Sequence, residues 1–378
     1  MNITTYLILA YLIFFRCTTT FSFLINSLFL KFAKTLGIRN NNDRIIRWRS
    51  QAKPAFGGIS FYILFLLSFA SFSILFAPEY SGQILLNKQL VGLLAAVTLA
   101  FLMGLADDAY NTIPLLKLFT QICCGLILIF SGTYIALFSY MPINYAITLF
   151  WVVGMMNSLN MLDNMDAITA SVSIFIILSL MLIICSQYGF TNIHLLMLTG
   201  ILSALLGFLY FNWHPSKMFM GDTGSQFLGI FLAAMGITHC WNFIPYELIA
   251  IDFNLLWSKQ IIIALLVFII PLADTTTVVI NRITKGQSPF VGGTDHTTHY
   301  LTYLGLSEKQ VALLFSGISL ISLMSIFIIV RFIDNWSYMH FSLFAIYFLI
   351  IFGLLFYCTK THKNSENLPE GKQDINTL

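Results

Sequence analysis

Charge is what this chain has least of. Only 9% of its 378 residues are Asp, Glu, Lys or Arg, against about 25% in soluble domains. That shortage excludes a chain disordered as a whole, which would be charge-rich and poor in apolar residues. It also excludes nucleic-acid binders, which need a broad basic surface. Nothing collagen-like is present, and no internal repeat is evident. The six cysteines lie in or beside apolar stretches with no metal-ligand spacing, so they read as small core hydrophobes. No small-residue cleavage site follows the first apolar run, which is too long for a signal-peptide core and reads as a retained span. What the chain does have is 58% hydrophobic residues, 36 of them Phe. A single water-soluble core cannot bury that excess, so the lipid bilayer is the first partner the sequence implies.

Windows of about 20 residues give an all-α, polytopic integral membrane protein. Eleven transmembrane helices are expected near 5–30, 56–77, 87–106, 115–138, 143–159, 167–187, 191–211, 224–243, 258–281, 311–331 and 338–358. Residues 1–358 read as one transmembrane catalytic domain and 359–378 as a polar, disordered tail. Alternate connections carry Lys31 to Lys53, Lys117, Lys217, Arg282, Lys285, Lys309 and the tail lysines, so 15 of the 19 basic residues fall on one side. The positive-inside rule makes that side cytoplasmic, with the N-terminus outside and the C-terminus inside.

Seven of the 16 acids gather on the same face: Asp107, Asp108, Asp163, Asp166, Asp222, Asp274 and Asp295. Solvated helix caps would explain any one of them, but the set needs a better reason. Adjacent Asp107 and Asp108, with Lys117 following, suit a hard divalent cation, Mg²⁺ or Mn²⁺. Asn157, Asn160, Asp163 and Asp166 recur every three residues, which forms one polar stripe if the segment is helical. Interhelical polar glue is the bland alternative there. The most specific run is Phe211-Asn212 through Phe219-Met-Gly221-Asp222-Thr-Gly-Ser225. It enters an apolar helix and offers backbone N–H groups for phosphate oxygens and an Asp for the cation. Gly292-Gly-Thr-Asp295-His296-Thr-Thr-His299 follows Arg282 and Lys285. Its two histidines lack further zinc ligands and suit phosphate or sugar contact. Lys53 opens the second helix, either as a site residue or as a positive-inside anchor. Ser307 and Gln310 form a capping box for the tenth helix.

As a set these motifs resemble the polyprenyl-phosphate N-acetylhexosamine-1-phosphate transferases over residues 50–310. The resemblance implies transfer of a sugar-1-phosphate from a UDP-N-acetylhexosamine to undecaprenyl phosphate, with Mg²⁺ and release of UMP. It makes Asp222 a cation ligand and puts Asp107 and Asp108 at the cation and the lipid phosphate, these three forming the catalytic set. Asp163, Asn164, Asp166 and Phe219 would form the uracil site, with Phe219 stacked on the base. Asn157, Asn160, Asn212, Lys117, Lys53, Gly221, Asp295, His296 and His299 would bind phosphates and substrate. The family's Asp-Gly-x-Asp-Gly reads Asp163-Asn164-Met165-Asp166-Ala167 here, and alanine accepts a left-handed backbone poorly. The histidine loop has Thr294 where a basic residue is expected. It also lacks the three consecutive histidines of the branch that transfers phospho-muramoyl-pentapeptide, which favours the N-acetylglucosamine branch that primes surface polysaccharides.

The resemblance implies a bacterial inner-membrane enzyme with a cytoplasmic active site, and it allows a homodimer. A lipid phosphate, with a second pKa of about 6, is already ionised at neutral pH, so a cation would contribute more than a general base. A covalent aspartyl-phosphate route stays open. A membrane transporter for a phosphorylated metabolite is the alternative, but transporters place ionisable groups near the midplane on repeated broken helices. Here the acids sit at one border.

Overall fold

The computed structural model describes residues 3–36, 53–75, 87–243, 253–288, 293 and 295–361. Among them are thirteen α-helices and no strand. The helices are α1 (Ile3–Leu36), α2 (Gly57–Leu75), α3 (Lys88–Tyr110), α4 (Pro114–Phe130), α5 (Met141–Leu162), α6 (Ile168–Tyr188) and α7 (Ile193–Asn212). They continue with α8 (Gly221–Gly236), α9 (Phe253–Val267), α10 (Ile269–Thr284), α11 (Thr297–Tyr303), α12 (Glu308–Arg331) and α13 (Tyr338–Thr361). The tail expected at 359–378 lies outside the described residues beyond 361, as do Thr294 and residues 37–52 of the basic segment.

Local chemistry sets the helix ends. Asn87 opens α3, its Oδ1 accepting from the N–H groups of Gln89 and Leu90. Pro114 and Pro142 stand in the first turns of α4 and α5, where the missing N–H costs nothing. Gly132, with φ of +91°, follows the end of α4, so that helix stops short of the expected residue 138. Asn192 caps α7, and the Ser307–Gln310 capping box opens α12 as expected.

Each of the eleven expected segments falls on a helix or, at 258–281, on the α9–α10 pair. Seven helices (α1, α3, α5, α6, α7, α12 and α13) are long and apolar enough to cross a bilayer, or eight if the α9–α10 pair is one span bent by 82°. Among the described residues α2, α4 and α8 fall short of that measure, and at α4 a hydropathy window reads through the turn at Gly132 that ends the helix. A one-turn π-helix, Ile237–Trp241, continues α8.

α8 is the central helix, buried from Thr223 to Gly236 and packed on α2, α3 and α5. The peripheral helices α1, α12 and α13 expose large apolar side chains such as Leu12, Leu28, Ile321 and Leu349, as lipid-facing helices must. Short polar seams tie α1 to the core: Thr18 Oγ1 donates to Ser203 Oγ at 2.9 Å and Asn26 Nδ2 to Ser60 Oγ at 3.2 Å. Such contacts suit membrane helix packing, where hydrophobicity alone cannot hold helices together.

The start of α8 sits at one end of the bundle, where α2, α3, α4, α5 and α7 also begin or end. The Lys53–Gly58 segment is laced to it: Phe219 N donates to the Pro54 carbonyl (3.0 Å), Gly57 N to that of Phe219 (3.2 Å) and Gly58 N to that of Met220 (3.1 Å). A side chain at Gly58 would strike the Gly224 backbone, and one at Gly104 would strike the Asp222 carbonyl. Glycine at both crossings lets α2 and α3 approach α8 closely, and that approach brings Asp107 to Asp222.

Candidate active site

Three helix ends meet around one ammonium group. Lys117, one turn into α4, places Nζ 2.9 Å from Asp222 Oδ2, 3.2 Å from Asn160 Oδ1 and 3.4 Å from Asp107 Oδ2. Asn160 Nδ2 donates to Asp222 Oδ1 and to Ser225 Oγ. Asp107 Oδ1 is held by the Thr112 N–H at 2.9 Å and by its hydroxyl, leaving Oδ2 facing Lys117. One helical turn deeper lies an amide layer. Gln121 Nε2 donates to Asn157 Oδ1 and Gln226 Oε1, and Asn157 Nδ2 donates back to Gln121 Oε1 at 2.8 Å.

The donor set suits a hard divalent cation: two carboxylates and an amide oxygen converge, with two further acids nearby. Asp163, just past the end of α5, records the excess of negative charge. Burial, followed by the charges of Asp222, Asp108 and Asp166, pushes its pKa up to about 8. A cation added here relieves that repulsion, so the residues fit Mg²⁺.

Asp108 behaves differently from its neighbour. Oδ1 accepts the Asp222 N–H (2.9 Å), and Oδ2 accepts the Thr223 N–H (2.9 Å) and hydroxyl (2.6 Å). The first N–H groups of α8, expected to meet phosphate, are therefore taken by Asp108. Gly221 turns the chain into α8 with φ of +74°, a left-handed conformation that favours glycine.

The expected polar stripe along 157–166 divides where α5 ends. Asn157 and Asn160 face α4 and α8, whereas Asp166 lies beyond the helix and turns toward the loop before α8. Asp166 is buried, with Ser216 donating to it from N (3.0 Å) and Oγ (2.7 Å) and His214 Nδ1 at 3.1 Å. His214 Nδ1 also lies 3.3 Å from Glu308 Oε2, so Asp166, His214 and Glu308 converge. Lys53 completes the charge balance there, 2.7 Å from Ser216 Oγ and 5.0 Å over the Phe219 ring. Asn164 Oδ1 accepts from the Thr298 hydroxyl, linking this loop to α11. Asn212 is structural: its Oδ1 accepts the Ala167 N–H, and its Nδ2 donates to the Met218 carbonyl. Ala167 itself is left-handed, with φ of +66°, the conformation its family glycine would adopt freely.

The histidine loop is organised by Asp274 of α10. Asp274 Oδ1 accepts the Thr297 N–H at 3.0 Å and its hydroxyl, and Oδ2 lies 3.4 Å from His296 Nδ1. His299 is buried, and burial followed by the nearby His296 lowers its pKa to about 4, so it is neutral at pH 7. Asp295 is committed to Arg282, whose Nε and Nη2 reach its two oxygens at 2.8 and 2.6 Å. Burial works against its charge, but Arg282 overrides this and holds the carboxyl below its ordinary range.

Sequence reasoning missed Thr112, Gln121, Gln226, Ser216 and Glu308 as parts of the site. Gln121 carried a signal, since it lies one turn from Lys117 on the same face of an apolar helix, where an amide needs a partner. Ser216 and Glu308 carried none, because their contacts cross 50 or more residues.

The profile of Glycosyl transferase family 4 matches residues 90–239, the stretch from α3 to α8. A probable undecaprenyl-phosphate N-acetylglucosaminyl 1-phosphate transferase of Bacillus subtilis is 27% identical over 308 residues, covering 79% of this chain and 78% of that protein. A phospho-N-acetylmuramoyl-pentapeptide-transferase of Leuconostoc mesenteroides is 30% identical over 250 residues, 61% of this chain and 70% of the relative. A decaprenyl-phosphate N-acetylglucosaminephosphotransferase of Mycobacterium leprae is 26% identical over 282 residues, 69% of each chain.

Proposed function

Because this chain belongs to glycosyl transferase family 4, the polyprenyl-phosphate sugar-1-phosphate transferases its motifs resemble, we propose that it transfers N-acetylhexosamine-1-phosphate from a UDP-sugar to undecaprenyl phosphate. A phosphate oxygen of the lipid forms a bond to the β-phosphorus. The bond from that phosphorus to the bridging oxygen breaks, and UMP leaves with the oxygen. The observation that carries this reading is the convergence of Asp107, Asn160 and Asp222 on Lys117 at the end of an apolar bundle. A transporter reading does not fit a chain of this family.

Asp222, Asp107 and Asn160 would hold Mg²⁺. When bound, the cation supplies positive charge that neutralises the diphosphate and the departing UMP. Lys117 adds a fixed positive charge for the diphosphate, and such preorganised charge is worth most where water is scarce. Phe219 offers its ring to the uracil. Both Asp166 oxygens already face Ser216 and His214, so base recognition falls on the backbone from Asn164 to Asp166. His299, neutral at pH 7, and His296, held by Asp274, line the phosphate side.

N-acetylglucosamine is the first sugar to test. It is supported by the long match to the Bacillus subtilis relative and by the histidine loop, which lacks three consecutive histidines. The basic residues support a cytoplasmic active site in a bacterial inner membrane, since Lys53, Lys117, Lys217 and Arg282 all stand at the site's end of the bundle. Asp222→Asn is expected to abolish UMP release from UDP-GlcNAc and undecaprenyl phosphate. Near-normal release by a folded variant would overturn the assignment.

A further inference from the structure

Helices α8 and α11 carry Asp222 and His299, yet no side chain of their own caps either one. An uncapped helix start leaves N–H groups without partners. Each is instead capped from another helix by an aspartate, Asp108 of α3 for α8 and Asp274 of α10 for α11. In both cases the carboxylate accepts a backbone N–H and the hydroxyl of a first-turn threonine, Thr223 or Thr297.

We infer that Asp108 is a positioning residue: it caps α8 across the helix interface and thereby fixes the backbone from which Asp222 projects. Both of its oxygens are used by three donors at the start of α8, whereas Asp107 keeps Oδ2 facing Lys117 and Asp222. Neighbouring residues on a helix point about 100° apart, so the pair divides its work, with one carboxylate for the cation and one for the frame. The Gly104 crossing supports this division, because it brings the α3 backbone against the Asp222 carbonyl. Asp274 does the same for α11 and adds a contact to His296.

The capping stands on geometry alone, while its consequence for catalysis rests on the reading that Asp222 holds the cation. Amide hydrogen exchange of the full chain in detergent with EDTA separates the two. Asp108→Ala is expected to speed exchange at residues 222–226 by about 5- to 10-fold, the usual scale for a lost N-cap. Asp108→Asn, which still offers an acceptor, is expected to restore most of the protection. Thr223→Val, which leaves the carboxylate in place, is expected to speed exchange at the same amides by a smaller factor. In activity, Asp108→Asn is expected to stay within about tenfold of the parent, because Asn caps nearly as well as Asp. Asp108→Ala should raise the Mg²⁺ concentration for half-maximal UMP release by about fivefold, matching the exchange effect. Unchanged exchange at 222–226 in Thr223→Val and Asp108→Ala would overturn the capping. Asp108→Asn as inactive as Asp222→Asn, or an unaltered Mg²⁺ requirement in Asp108→Ala, would overturn the positioning role.

Discussion

Lys117 Nζ lies 2.9 Å from Asp222 Oδ2 and 3.4 Å from Asp107 Oδ2, bridging two acids from helices more than a hundred residues apart in sequence. The ammonium offsets charge that would otherwise repel, and it stands where an anionic substrate must come. Lys117→Gln is therefore expected to lower kcat for UMP release by about 100-fold or more, the scale for losing one preorganised charge. Its half-saturating Mg²⁺ concentration should fall, because less positive charge competes with the cation. A Mg²⁺ titration of both proteins checks this, and a rise in the Mg²⁺ requirement would count against it.

Ala167 occupies a left-handed conformation, at φ of +66°, in the loop assigned to uracil. That conformation costs a non-glycine residue about 1–2 kcal/mol, while glycine gives back about 0.4–1 kcal/mol of unfolded-state entropy. Ala167→Gly is expected to raise the thermal midpoint in detergent, with a net gain of about 0.5–1 kcal/mol. A lower midpoint would mean that the loop does not carry this strain.

The α3–α8 crossing leaves no room for a methyl group at Gly104. Overpacking such a contact costs about 1–3 kcal/mol. Gly104→Ala is expected to lower stability by that order and to reduce activity further, since the displaced atoms belong to Asp222. Gly317, whose added Cβ would meet nothing within 4 Å, supplies the control: Gly317→Ala should leave activity unchanged.

Burial, then the charges of Asp222 and Asp108, raises the pKa of Asp163 to about 8. Below that pH the group is protonated and neutral, and above it the group adds a negative charge beside the cation site. Mg²⁺ affinity is therefore expected to rise as pH increases through about 8. Asp163→Asn should flatten that rise, which half-saturating Mg²⁺ concentrations measured between pH 6.5 and 9 would show. The same pH dependence in both proteins would contradict the coupling.

The membrane class, the helical segments and the clustering of Asp107, Asp222 and Lys117 were legible because charge is rare enough here for each charged residue to carry information. The Ser307–Gln310 box was legible because its partners are three residues apart. The split between Asp107 and Asp108 was not, since only the crossing partner shows which carboxylate meets α8. The turn of Asp166 away from Asn160 depends on α5 ending at Leu162, a boundary that apolar periodicity does not mark. The Asp295–Arg282 pair was hidden for a similar reason: both residues suit phosphate, and only their mutual geometry shows that they satisfy each other. Of the eleven expected segments, seven or eight are helices long and apolar enough to cross a bilayer among the described residues, because a window averages over turns such as the one at Gly132 that shortens α4.

The most direct test uses purified protein in detergent with Mg²⁺, undecaprenyl phosphate and UDP-GlcNAc labelled on the β-phosphorus. The label is expected to move into an organic-extractable polyprenyl-diphospho-sugar, matched one for one by UMP and absent with Asp222→Asn. Label that stays with the nucleotide in every UDP-amino sugar tried, from a folded preparation, would contradict the transferase assignment.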